Sequence, residues 1–118
     1  MDKKANLKRY DLEERTLLFS KQVRAFVKVL PRGISNIEDA KQLVRASGSV
    51  GANYIEANES LNKKDFLMRI KICRKEAKES RYWLSLIEEG SFANQKNTLI
   101  QEATELMNIF GAILRWSE

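Results

Sequence analysis

Between Asn62 and Glu89, the residues Phe66, Ile70, Cys73, Ala77, Ser80, Leu84 and Ile87 recur at alternating steps of four and three. A rhythm of this kind, held over about four heptads, is the packing seam of one long helix, and a seam requires other helices to cover it. With Phe66 at heptad position d, Lys64, Lys71 and Lys78 fall at b, Lys75 at f, and Arg74 and Arg81 at e, positions that adjoin around the helix. The segment therefore carries a core seam and a basic flank.

Composition agrees with an all-α chain. Its 118 residues fit one domain, large enough to bury roughly two thirds of its unfolded surface. One Pro and five Gly leave few places to turn, and the stretches between them are rich in helix formers. The net charge of +5 is compatible with an anionic partner without requiring one. Its distribution is more telling. Residues 62–81 hold eight basic and three acidic side chains, whereas residues 82–118 hold two basic and five acidic ones. Residues 1–9 hold four basic side chains against one acidic.

Punctuation divides the chain into four helices. Asp11 and Glu14 have capping-box spacing and predict the start of helix one, whose stripe of Phe19, Val23, Phe26 and Leu30 ends before Pro31 and Gly33. Residues 1–10 are expected to form a mobile basic segment ahead of a bundle over 11–118. Ser35 and Glu38 repeat the capping spacing, and Ala40, Leu43, Ser47, Val50, Tyr54, Ala57 and Leu61 follow on helix two. Gly48 and Gly51 lie inside this helix, each costing about 1 kcal/mol relative to Ala, which predicts close approach of another backbone more than a kink. Asn62 reads as the N-cap of helix three and Gly90 as its left-handed stop, with a helix of about 27 residues between. Helix four carries Leu99, Ala103, Leu106, Phe110 and Ile113, with Ile100, Met107 and Leu114 beside them. Long helices joined by short loops predict an antiparallel, up-down-up-down four-helix bundle.

The chain has more apolar residues than one bundle core absorbs. Ile72, Trp83 and Leu86 occupy c and g positions on helix three, Leu17, Leu18 and Val27 add to helix one, and Ile109 and Trp116 add to helix four. The surplus is either a wide core stripe or a subunit interface. Self-association is the expectation, with Ile72, Trp83, Leu86 and Trp116 at the interface, because Trp is favoured at interface centres.

The chemistry of catalysis is poorly represented. The chain has no histidine, and its single cysteine, Cys73, lies on the seam, where a buried inert thiol is expected. Glu76 and Glu79 are better explained by ion pairs with lysines one turn away, Lys71 or Lys75, than by paired catalytic carboxylates. No phosphate-loop fingerprint, metal-ligand cluster, cofactor site, membrane span or signal-peptide core is present, so the expectation is a non-enzymatic cytoplasmic protein. Asn53 and Glu56, next to the seam of helix two, are expected to set register through partners on helix three. The basic flank of Lys64, Lys71, Arg74, Lys75, Lys78 and Arg81 is either a solvated face or a nucleic-acid surface with little sequence specificity.

Two blocks carry a family resemblance: Ser49-Val50-Gly51-Ala52-Asn53-Tyr54-Ile55-Glu56-Ala57, and Lys64-Asp65-Phe66 followed by Lys75-Glu76-Ala77-Lys78-Glu79-Ser80 and Tyr82-Trp83-Leu84. In this order they resemble the bacterial four-helix-bundle proteins named for open reading frames in 23S ribosomal RNA intervening sequences. The chain departs at Ala57-Asn58, where many relatives have a Gly-containing turn. The resemblance implies a ring-like homopentamer with no established enzymatic activity. It also implies kinship with an accessory protein of diversity-generating retroelements, whose basic surface binds nucleic acid and a reverse transcriptase. The leading expectation is thus an oligomeric bundle that binds RNA or DNA through the flank of helix three. The alternative is a protein-interaction scaffold that binds no nucleic acid.

Overall fold

A computed structural model describes the backbone of residues 3–117 and the side chains of residues 12–117. Four helices account for nearly all of it: α1 (Lys3–Lys28), α2 (Ile34–Asn58), α3 (Lys63–Leu86) and α4 (Ala93–Ser117). Each packs against its two neighbours, α1 against α2 and α4, and α3 against α2 and α4. The cross-helix contacts run in opposite senses: Asn36 near the start of α2 meets Glu88 just past α3, while Asn58 at the end of α2 meets Glu13 early in α1. The fold is an antiparallel up-down-up-down four-helix bundle measuring 48 × 25 × 20 Å.

The 4-3 seam of α3 is buried through Ile70, Cys73, Ala77, Ser80, Leu84 and Ile87, with Phe66 half-buried at its start. Facing it are Phe19, Val23 and Phe26 of α1, Leu43, Val50 and Tyr54 of α2, and Leu99, Leu106 and Phe110 of α4. Tyr54 and Phe110 meet across the bundle, with ring centroids 5.9 Å apart. On α4 the last core position is Leu114, while Ile113 is half-buried.

The helix termini correct several expectations. The backbone of α1 is helical from Lys3, so Asp11 lies within the helix instead of capping it. The side chains of residues 1–11 lie outside the described residues, as does the expectation of a mobile segment there. The N-cap of α2 is Gly33, with no side-chain cap, so Ser35 lies inside the first turn. The residue that fastens this end is Asn36, which donates to Pro31 O at 3.0 Å and Glu88 O at 2.8 Å and accepts from Glu88 N at 3.0 Å. Helix α2 runs through Ala57-Asn58 to a C-cap at Glu59. Leu61, expected on its seam, lies beyond that cap and is exposed.

Asn62 does cap α3, its side chain accepting from Asp65 N at 2.9 Å. The helix stops at Leu86, four residues before Gly90, with Ile87 at the C-cap extended and buried. Gly90 is left-handed, with φ of 60°, but sits in the connection to α4, where a Cβ would come within 3.0 Å of Pro31 Cγ.

Of the two glycines of α2, Gly51 marks close packing against α1 and Gly48 does not. A Cβ on Gly51 would lie 2.9 Å from Thr16 Oγ1, whereas Gly48 has only the tip of Arg24 at 3.4 Å and Ser20 Oγ at 3.8 Å.

Candidate nucleic-acid interface

Helix α3 lies between α2 and α4, so its residues flanking the seam divide between two neighbours. Its carboxylates turn toward α2. Arg45 Nη2 lies 3.4 Å from Glu76 Oε1 and 3.3 Å from Glu79 Oε1, and the Glu76 side chain is only 8% exposed. The expected partners of Glu79, Lys71 and Lys75, are not the observed ones. Positions g and c face the α2 edge, whereas b and f face outward, so Arg45 is the cation within reach.

The basic residues turn the other way. Lys71, Arg74, Lys75 and Lys78, all exposed, line an open groove of about 270 Å³ with Leu114 of α4. None of the four has an ion-pair or hydrogen-bond partner among the described residues. Lys64, near the start of α3, is exposed but does not line the groove. Arg81 is half-buried beyond it. Arg115 of α4, which the sequence reading did not include, joins the cluster: its Nη1 and Arg74 Nε lie 3.5 and 3.9 Å from the position a Cβ would take on Gly111. Detecting it requires the α3–α4 register, which no local motif reveals.

Acidic residues of α4 are held on the far side. Arg15 donates to Glu102 from Nε at 2.7 Å and from Nη2 at 2.8 Å, and to Glu105 at 2.9 Å. The hydrogen bond to Glu102 leads in raising the guanidinium pKa above its usual range. At the loop end, Lys96 donates to Ile87 O at 2.8 Å and pairs with Glu89 at 3.2 Å. The Glu89 carboxyl is lowered chiefly by its own backbone N–H and then by Lys96.

The apolar surplus of α3 and α4 falls on two edges of the bundle. Trp83 is one heptad beyond Glu76, and Leu86 and Ile72 are one heptad either side of Glu79, so these three occupy the α2-facing edge of α3. Trp116 is two heptads beyond Glu102 and follows Ile109, which puts it on the α1-facing edge of α4. The basic groove lies between α3 and α4, flanked by both edges. Leu86 is exposed and Trp116 is 83% exposed. Ile72 is half-buried, and Trp83 is half-buried against the core with Tyr82 packed edge-on at 5.1 Å. Trp83 Nε1 is buried with no hydrogen-bond partner among the described residues.

Asn53 donates to Ser49 O and Oγ, both at 2.9 Å, and accepts from Arg69 Nη1 at 2.9 Å, which joins α2 to α3. Glu56, expected to do the same, is exposed, and its carboxylate has no partner among the described residues. Three residues past Asn53 the helix has turned it about 60° away from α3. The buried Cys73 thiol donates to Val50 O at 3.4 Å. Among the described residues there is no metal-binding group of three or more His, Cys, Asp or Glu, and no helix long and apolar enough to cross a membrane.

The fold and groove define a class: small antiparallel helical bundles with one basic face. Within that class, the profile of the 23S rRNA-intervening sequence protein family matches residues 8–112, and the chain belongs to this family. It is also similar to a crystal structure, at 1.70 Å resolution, of a protein with unknown function from the S23 ribosomal protein family of Bacteroides thetaiotaomicron. The TM-score is 0.78 at 25% identity, over 92% of this chain and 98% of that one. No curated protein matches the chain.

Proposed function

We propose that this protein is a non-enzymatic, self-associating bundle that binds nucleic acid, RNA foremost, through the basic flank of α3. The observation that carries this reading is the separation of charge on one helix. Glu76 and Glu79 are drawn to Arg45 on the α2 side, and the exposed Lys71, Arg74, Lys75 and Lys78 are left without carboxylate partners among the described residues along the α4 side. Cations repeated at intervals of about one helical turn, roughly 5.4 Å, suit a phosphate backbone and carry no base-reading geometry. The family's 23S rRNA context makes RNA the polyanion to try first.

Apolar residues on two different edges support ring assembly. In a ring every contact joins unlike surfaces, so the Ile72, Trp83 and Leu86 edge of one subunit would meet the Trp116 edge of the next. Five subunits form the ring of this reading, and each groove then points in the same radial direction. Repetition of one weak site multiplies affinity through avidity.

Titration of a structured RNA and of duplex DNA at low and moderate salt tests the proposal. Binding that weakens steeply with salt is expected, and no binding to either at low salt sinks it. The same exposed cations also suit an acidic protein surface, which gives the second reading, a protein-interaction scaffold that binds no nucleic acid. It predicts that both titrations stay flat.

A further inference from the structure

At one point in the groove two guanidinium groups converge on bare backbone. Gly111 is buried, and the space beside its Cα is bordered by Arg115 Nη1 from its own helix and Arg74 Nε from α3, at 3.5 and 3.9 Å from a Cβ position. Both distances are ordinary van der Waals contact, so the two guanidinium groups rest against the helix backbone at this glycine.

Among the described residues, neither arginine meets a carboxylate. Glu76 and Glu79 on α3 are held by Arg45, and Glu102 and Glu105 on α4 by Arg15, so these four carboxylates are turned toward other partners. Neither Arg74 nor Arg115 has an ion pair among the described residues. Two adjacent positive charges in this state repel, and an oxyanion between them removes the repulsion. Guanidinium suits this task because its planar fork donates two parallel hydrogen bonds to a phosphate. Lys71 and Lys78 lie about one turn to either side of Arg74 on the same groove wall, and Leu114 supplies an apolar floor.

We propose that Arg74 and Arg115 form the centre of the groove's contact with nucleic acid, gripping one backbone phosphodiester between their guanidiniums, with Lys71 and Lys78 on neighbouring phosphates. This rests on the nucleic-acid reading above and narrows it, because Arg115 enters the footprint while Lys64 and Arg81 leave it.

The test is fluorescence anisotropy of the full chain with a labelled RNA hairpin, from about 50 to 200 mM salt, comparing wild type with R115Q, R115K and K64Q. Arg115 is exposed, so R115Q should keep the wild-type circular dichroism midpoint. The expected result is roughly tenfold weaker binding for R115Q, with a salt slope lower by about one. R115K should restore the slope but only part of the affinity, because it returns the charge without the fork, and K64Q should stay within about twofold of wild type. If R115Q binds like wild type while wild type binds well, the arginine pair is overturned and the broader reading survives. If wild type fails to bind, both fall. A parallel titration with inorganic phosphate at matched ionic strength separates the two sources of the oxyanion. Displacement of the RNA at micromolar phosphate would assign the pair to a small anion and overturn its role on a backbone.

Discussion

Thr16 occupies the space that a side chain on Gly51 would need. Its Oγ1 lies 2.9 Å, and its Cβ 3.2 Å, from a Cβ position on that glycine, and the hydroxyl is fixed by donating to Leu12 O at 2.8 Å. Thr16 is fully buried, so it has no room to retreat. Gly51→Ala should therefore lose about 1–3 kcal/mol to overpacking, outweighing the roughly 1 kcal/mol that Ala gains in helix propensity. Gly48→Ala should go the other way, because only the flexible tip of Arg24, at 3.4 Å, and Ser20 Oγ, at 3.8 Å, border the new methyl. A gain of about 0.5–1 kcal/mol is expected there. Urea unfolding followed by circular dichroism distinguishes the two, and equal effects of one sign would contradict this account.

Asn36 is the corresponding fastener at the loop end of the bundle. One carboxamide satisfies Pro31 O, Glu88 O and Glu88 N, linking the α1–α2 turn to the end of α3. Asn36→Ala leaves these groups in a part-buried place without their partner, and a loss of about 1–2 kcal/mol should follow. Asn36→Asp should be worse at neutral pH, since a carboxylate faces two carbonyl oxygens that need a donor. Thermal melts that rank Asp above Ala would remove Asn36 from this role.

Asn36 also shows where a sequence stops being informative. Periodicity located four helices and most of their core, because burial at steps of three and four is a local property of the chain. Helix starts were misread at Asp11 and Ser35, where capping-box spacing is present but the helix continues past it or begins before it. The α2–α3 contact at Asn53 follows from its place beside the seam, while Glu56, one heptad position further from the seam, turns outward. Cross-helix pairs such as Arg45 with Glu79, Arg15 with Glu102 and Arg74 beside Arg115 depend on axial register between helices, which no single segment encodes. The basic flank was legible as a stripe. That its acids are drawn elsewhere was not.

Cys73 gives a pH signature. Burial pushes its thiol up to about 12, from 9.0, with its own backbone and Arg69 acting weakly in the opposite direction. A raised pKa in the folded state means that the unfolded chain releases this proton first. The contribution is intact below pH 9 and is lost as pH rises toward 12, at no more than about 1.4 kcal/mol per pH unit. Wild type should thus lose stability faster than Cys73→Ala over that range, although the alanine variant starts lower because of the space it leaves. The same burial predicts slow reaction with a thiol reagent in native buffer and fast reaction in urea. Native reactivity matching that of a free thiol would refute the assignment.

The two apolar edges make a stronger demand on the assembly. If the Leu86 edge of one subunit meets the Trp116 edge of the next, either substitution, Leu86→Asp or Trp116→Asp, destroys one half of every contact, and each variant alone should run as a monomer. Their mixture should not. The Leu86→Asp subunit retains an intact Trp116 edge, the Trp116→Asp subunit retains an intact Leu86 edge, and these two halves make one good contact that cannot propagate into a ring. Size-exclusion chromatography with light scattering should therefore show the wild type as a closed oligomer, each variant as a monomer and the equimolar mixture as a dimer. Monomers in the mixture would mean that the two edges do not meet. A monomeric wild type at micromolar concentration would remove self-association altogether, leaving Leu86 and Trp116 as exposed apolar side chains with no assembly role.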